Sequence, residues 1–433
     1  MNPGMRTILF GSAFVVLLSA LPGWAQDTTK ERITFTKDVL PILQESCQVC
    51  HQPAGANYGG MIAPMSFMTY AQTRPWAKAI VKATVTREMP PWDAAPEFNG
   101  VFENERTLTD EEIDILKRWV DGGAPRGRYE DAPPPRESPI MVDGWRIGKP
   151  DLIVRMPEPH FVADDVEDEY ANFLSPIPLE DLPADRWISG VEVKPGNPAI
   201  VHHLRLDLNP PGGVGAMSQA QDFDGLGSGR LIGVAPGVDP DVWPVGYGKL
   251  LRAGSSIRWN MHYHKEPGPG TGDWDQSYLG LTFHTEPVQH AIANLLTLRM
   301  DFDIPPNHPN WSVGTMTTIK KDIFLTSVFP HMHLRGKTAK FTAIYPDGVR
   351  ETLLYVPNYD FNWQTVYTYK EPKPIPAGTR IEFKFTYDNS KGNEANPDPS
   401  ISVDWGLKTT DEMMAPWIYY VDKEPLAIEG QSD

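Results

Sequence analysis

Apolar positions recur at helical spacing in two stretches near the start of the chain and in short strand-like runs through most of its remaining length. Between Thr36 and Ser46, Val39, Leu40 and Leu43 share one helical face, with Pro41 limiting the first turn. Thr109-Asp110-Glu111-Glu112 reads as a capping box that opens a second helix, with Ile113, Leu116, Trp119 and Val120 inside and Gly122 just past its end. From residue 124 to 151, Pro125, Pro133, Pro134, Pro135, Pro139 and Pro150 break any regular pattern and read as a linker. Beyond it, runs such as Ser189 to Val193, Leu204 to Leu208, Ile257 to His262, Tyr278 to Phe283 and Ile381 to Tyr387 are rich in β-branched and aromatic residues and separated by Gly and Pro. The expected fold is mixed: a small α-helical domain over 27–125, a linker over 126–150, and two all-β antiparallel, jelly-roll-like sandwiches over 151–287 and 288–433.

Charge and the N-terminus narrow the setting. With 56 acidic against 39 basic residues the net charge is -17, which repels nucleic acid and anionic lipid, so neither is expected as a partner. Arg6, an apolar stretch from Ile8 to Leu21 and the small residues Gly23 and Ala25 before Gln26 read as a cleaved secretory signal over 1–25. No further apolar run reaches the roughly 20 residues that a bilayer requires, so the mature chain is expected without a membrane span, in the periplasm or secreted.

The chain has only two cysteines, in Cys47-Gln48-Val49-Cys50-His51. Two thiols at this spacing can add to the two vinyl groups of haem while the adjacent imidazole ligates the iron. A zinc site would want two more soft ligands, and no other cysteine exists. One covalent haem c is therefore expected, in a segment that resembles small bacterial c-type cytochrome domains. In Arg87-Glu88-Met89-Pro90-Pro91-Trp92 the prolines leave a methionine on a rigid loop, so Met89 is the expected sixth ligand, with Met61, Met65 and Met68 as alternatives.

Six of the remaining histidines form three close groups, His202-His203, His262-Tyr263-His264 and His331-Met332-His333. Residues two apart on a strand share a face, so His331 and His333 can reach one metal without distortion. His202 and His203 would face opposite sides of a regular strand and can share a metal only at a bulge, at a strand end or through different ring nitrogens. Taken singly, each pair could equally be hydrogen-bonded core or surface histidine.

Together, and in this chain order, the motifs resemble the copper type II ascorbate-dependent monooxygenases, the family of peptidylglycine and dopamine hydroxylating enzymes. Val201-His202-His203-Leu204 is similar to its His-His motif and Asn260-Met261-His262-Tyr263-His264 to its single-histidine strand. Phe329-Pro330-His331-Met332-His333 is similar to its His-x-His strand and Thr410-Asp411-Glu412-Met413 to its methionine segment. The resemblance implies one copper on His202, His203 and His262 and a second on His331, His333 and Met413, across a cleft between two sandwiches. His264 is an alternative ligand to His262, and Met414 adjoins Met413. The resemblance further implies O2 activation at the methionine site, hydroxylation of a substrate C–H bond, and an electron store at the other copper. A haem relay from a periplasmic donor would replace or supplement an ascorbate-like reductant. The family's structural disulfides are absent, Phe329 stands where the peptide-amidating branch has an arginine, and Ala415 and Trp417 replace positions of its peptide clamp, which argues against a peptidylglycine substrate.

Rival copper chemistries fit less well. A cysteine-ligated copper centre would need a thiolate, and both are committed to haem. A polysaccharide monooxygenase would need an N-terminal histidine, whereas cleavage leaves Gln26 first. The alternative from another class is a non-catalytic electron carrier with β-sandwich binding domains.

Overall fold

The computed structural model describes residues 32–52, 63, 65–135, 144–212, 229–234 and 240–426. The expected signal segment over 1–25 and Met61 lie outside them. Phe35–Val39 runs into the helix Leu40–Ser46, followed by Ala77–Val85 and Asp110–Asp121. The last is opened by the Thr109 capping box, in which the Glu112 N–H donates to the Thr109 hydroxyl and the Thr109 N–H to the Glu112 carboxylate at 2.8 Å. These helices share a small core of Phe35, Val39, Leu43, Phe67, Ile80, Leu116 and Trp119, against which Cys47 packs. Among the described residues no helix is long and apolar enough to cross a membrane.

Among the described residues everything after residue 151 is strand and loop, and all five of the β-rich runs lie in strands. In the first sandwich one sheet runs Leu152–Arg155, Tyr278–Phe283, Arg186–Lys194, Tyr247–Leu251, and the other Asp168–Pro176, Ser256–His264, Val201–Asn209, Gly229–Val234. Ile188 and Leu281 of one sheet meet Leu206 and Trp259 of the other in a continuous apolar core, the usual way for two half-buried sheets to hide their inner faces. In the second sandwich Ala293–Leu296, Ala415–Asp422, Ile323–His331 and Tyr367–Ile375 pack over His308–Thr318, Arg380–Asn389, Gly336–Ile344 and Arg350–Val356.

The segment between the second and third α-helices behaves differently from its neighbours in sequence. Although it falls within the 27–125 stretch, it leaves the helical core and enters the second sandwich, where Ala94, Ala95, Phe98 and Phe102 are buried beside Phe341, Leu354 and Tyr367. The Ala95 N–H donates to Tyr355 O at 2.8 Å, the Glu103 N–H to Thr368 O at 2.7 Å and the Lys370 N–H to Val101 O at 3.1 Å. Trp92 sets its ring against Tyr367 at 5.1 Å between centroids. The reason is burial: this short aromatic run has no periodic partner among the helices, and the sandwich offers a core that its rings complete.

The segment also carries a buried carboxylate. Burial, and then the charge of Asp360, push Asp93 up to about 7 from the ordinary 3.8. The folded state therefore holds this proton where the unfolded chain has lost it, so stability contributed here falls as pH rises from about 4 to about 7 and is level above that. Asp93→Asn keeps the neutral form at every pH. Thermal melts should show the variant gaining on the parent across that window and keeping a constant lead beyond it. A difference between the two that does not change with pH contradicts this assignment.

Candidate metal centres

The Val201–Asn209 strand pairs with Ser256–His264, and its register slips between Val201 and His203, where Val201 opposes Tyr263 but His203 opposes His262. His202 is thus the extra residue of a bulge, which turns two adjacent histidines toward the same side. The result is convergence: His202 Nδ1 lies 3.0 Å from His203 Nδ1 and 3.4 Å from His262 Nδ1, and His203 and His262 are 3.2 Å apart. Nitrogens each about 2.0 Å from one ion, at angles a little above a right angle, have this mutual spacing.

Protonation agrees with that geometry. His262 Nε2 meets the Asp168 carboxylate at 2.7 Å, so the ring donates there and its Nδ1 carries a lone pair. The ring also stacks on Tyr170 at 4.2 Å and 5°. Burial pushes His202 and His262 down to about 4, opposed in His262 by the Asp168 bond, and drives His203 well below its ordinary value. Three neutral imidazoles aiming nitrogens at one point have too few protons to satisfy one another, and a metal ion fits that donor set. His264 is not in this triad; it is exposed and shares Asp168 at 3.2 Å.

The other histidine pair sits where the Ile323–His331 strand ends. His331 Nδ1 meets Gln364 Oε1 at 2.8 Å and His333 Nδ1 meets Asp411 O at 3.2 Å, which leaves both Nε2 atoms for a ligand. The rings lie 5.2 Å apart at 79°. Burial pushes His331 down to about 3 and His333 to about 4. Between them Met332, just past the end of the strand, is buried in the core.

Glu412 ties this pair to the methionine segment. Its buried carboxylate accepts from the N–H groups of His333 at 2.9 Å, Arg335 at 2.6 Å and Met413 at 3.2 Å. Met414 is fully buried in the second core, whereas Met413 lines the cavity with His331 and His333. That cavity, of about 470 Å³, is shared with His203 and His262. Phe361 bridges the two clusters, its ring 5.6 Å from that of His202 and 5.8 Å from that of His333. Asp168, Phe361, Gln364 and Glu412 carry no motif as positioning residues, and only the acidic run around Asp168 and the place of Glu412 beside Met413 hinted at them.

In the helical unit His51 Nδ1 meets Met65 O at 3.2 Å, leaving Nε2 for an axial bond, and the ring stacks on Phe67 at 4.2 Å. Burial, then Cys50 and Glu112, push the Cys47 thiol up to about 12. Met89 lines a groove of about 270 Å³ with Thr84, Trp92, Leu108 and Ile113, and Ile113 packs on the core that Cys47 also touches. Cys47, Cys50 and His51 do not line this groove. The remaining histidines have local partners: His160 meets Glu169, His284 meets Tyr247 O, His290 meets Asp422 O, and the Asn310 N–H donates to His308.

Because Asp168 fixes the His262 tautomer, Asp168→Ala should weaken metal binding at the Nδ1 triad by about 10-fold to 100-fold while sparing the His331 pair. A competitive chelator titration reads both sites. Unchanged affinity at the triad contradicts a role for Asp168.

Solved structures to which the chain is similar include the major capsid protein P2 from Bacteriophage PM2, at 8% identity over 65% of this chain and 99% of that one, with a TM-score of 0.28. Another is the STIV MCP, at 7% identity over 63% and 96% of the two chains, with a TM-score of 0.26. Likenesses this distant say nothing about function. The C-terminal sandwich is more informative: residues 290–429, which include His331, His333 and Met413, match the family described as copper type II ascorbate-dependent monooxygenase, C-terminal domain, and so support a copper monooxygenase, an oxidoreductase, at family level.

Proposed function

We propose that this chain is a haem- and copper-dependent monooxygenase that hydroxylates a C–H bond of an organic substrate with O2. His202, His203 and His262 would hold one copper, and His331, His333 and Met413 the other. Cys47, Cys50 and His51 would hold haem c, with Met89 as sixth ligand. The observation that carries the proposal is the shared cavity, which brings His203 and His262 of the triad, His331, His333 and Met413 to one space. Copper at such a mixed imidazole and thioether set supplies one-electron chemistry and O2 activation, the thioether favouring the reduced ion.

The chain's own groups do the rest. Gln364 and Asp411 O hold the His331 and His333 rings with Nε2 free, and Asp168 does the same for His262 Nδ1. Leu296, Leu298, Phe329 and Trp417 make one wall apolar, which limits water around the reacting groups. The haem relay is supported by continuity of structure. Met89 and Trp92 line one groove, Trp92 packs on Tyr367, and Tyr367 follows closely on Gln364, which touches His331. The 92–104 segment is built into the second sandwich, so a donor's electrons would enter through a fixed junction rather than a swinging domain. A periplasmic or secreted location accompanies this proposal and rests on the N-terminal sequence.

Metal analysis of the full chain after anaerobic copper loading should give two coppers and one iron, with one copper lost in His331→Ala and in Met413→Ala. Iron alone, with no copper uptake, overturns the oxygenase in favour of a cytochrome fused to β-domains. For the relay, Trp92→Leu should slow copper reduction by pre-reduced haem several-fold in a single-turnover experiment, at unchanged metal content. An unaltered rate removes Trp92 from the route.

A further inference from the structure

One group on the cavity wall is used by neither metal site. Arg230, on the Gly229–Val234 strand of the first sandwich, is only 8% exposed. Its guanidinium reaches across the domain seam and lies over the rings of Trp417 at 4.6 Å and Phe329 at 5.1 Å, both from the second sandwich. A cation gains from such aromatic faces, but they do not replace hydrogen-bond acceptors, and Arg230 Nε has none. Among the described residues no carboxylate pairs with it. The contrast is Arg205 on the same cavity, which is paired with Asp207 at 2.9 Å.

The site is constructed to hold this side chain in place. A Cβ at Gly233 would fall 1.7 Å from Arg230 Nη2, so the guanidinium occupies the room that the missing side chain leaves. The Arg230 carbonyl accepts from Lys249 Nζ at 2.5 Å and from Asn294 Nδ2 at 3.1 Å, one donor from each sandwich. Arg230 lines the same cavity as His331. A buried, immobilised cation with no counter-ion among the described residues is costly unless something with the opposite charge comes to it.

We propose that Arg230 anchors the substrate and that the substrate is an organic carboxylate with an apolar body. The carboxylate pairs with the guanidinium, whose planar fork matches it. The apolar body lies along Trp417, Leu296 and Leu298, which sets a carbon near His331 and His333. The assignment rests on the oxygenase reading of the cavity for its chemistry, though not for its binding.

The test is equilibrium binding to the full chain, with and without copper, followed by tryptophan fluorescence. The probes are phenylacetate, 3-phenylpropionate, 4-phenylbutyrate and hexanoate, each beside its uncharged amide. At least one carboxylate should bind about 10-fold to 100-fold more tightly than its amide. Arg230→Met should erase that preference, Arg230→Lys should restore part of it, and Gly233→Ala, which displaces the guanidinium without removing its charge, should weaken it. A preference that survives Arg230→Met in folded protein reflects ligation to copper or another cation and overturns the proposal. So does equal binding of acid and amide, or no binding by any acid in the panel. A preference that depends on Arg230 in a chain that takes up no copper upholds the anchor and rejects the oxygenase. Normal copper content with no preference rejects the anchor alone.

Discussion

Adjacent residues of a regular strand face opposite sides of the sheet, so His202 and His203 turn their rings toward one point only because the Val201–Asn209 strand carries an extra residue against its partner. That bulge costs a disrupted ladder and gains a triad whose nitrogens stand 3.0 to 3.4 Å apart. The rest of the cavity is organised around it. The triad lies on the inner seam between two sandwiches, where burial keeps the imidazoles unprotonated, and the second sandwich brings His331, His333 and Met413 to the same space. Had the strand been regular, one imidazole would have turned into the Leu204 and Leu206 core and the three nitrogens would not converge.

Second partners make the two clusters rigid in different ways. The triad uses Nδ1 because Asp168 takes the far side of His262, whereas His331 and His333 keep Nε2 free because Gln364 and Asp411 take their Nδ1 atoms. Glu412 fixes three backbone N–H groups around the methionine segment with one carboxylate, so the turn that carries Met413 is positioned from the core. Phe361 touches both clusters from a loop whose neighbour, Asp360, meets Asp93 of the inserted segment. The inserted segment, the loop and both clusters are therefore packed together.

Much of this is legible in the amino-acid sequence. The capping box at Thr109 and the β-rich runs are local patterns, and local patterns report local structure. The clustered histidines announce a metal-binding set because histidine is scarce elsewhere in the chain. The hidden part is tertiary. Nothing in the spacing of Trp92, Phe98 and Phe102 shows that these rings complete a core more than 230 residues further along. Asp168, Gln364 and Phe361 act singly, and a single residue has no period. Arg230 reads as an ordinary strand cation until its neighbours prove to be two aromatic rings and a glycine. Of the adjacent Met413 and Met414, which precede the Ala415–Asp422 strand, Met413 lines the cavity and Met414 is buried in the core, a difference that their neighbouring positions in the sequence do not reveal.

The central claim is that the two imidazole clusters each hold copper in one cavity. Diffraction from copper-loaded crystals, recorded above and below the copper absorption edge, tests it most directly. Two anomalous peaks are expected, one equidistant from the Nδ1 atoms of His202, His203 and His262 and one beside the Nε2 atoms of His331 and His333 and the Met413 sulfur. Peaks elsewhere, or none at these residues in crystals that hold copper, would contradict it.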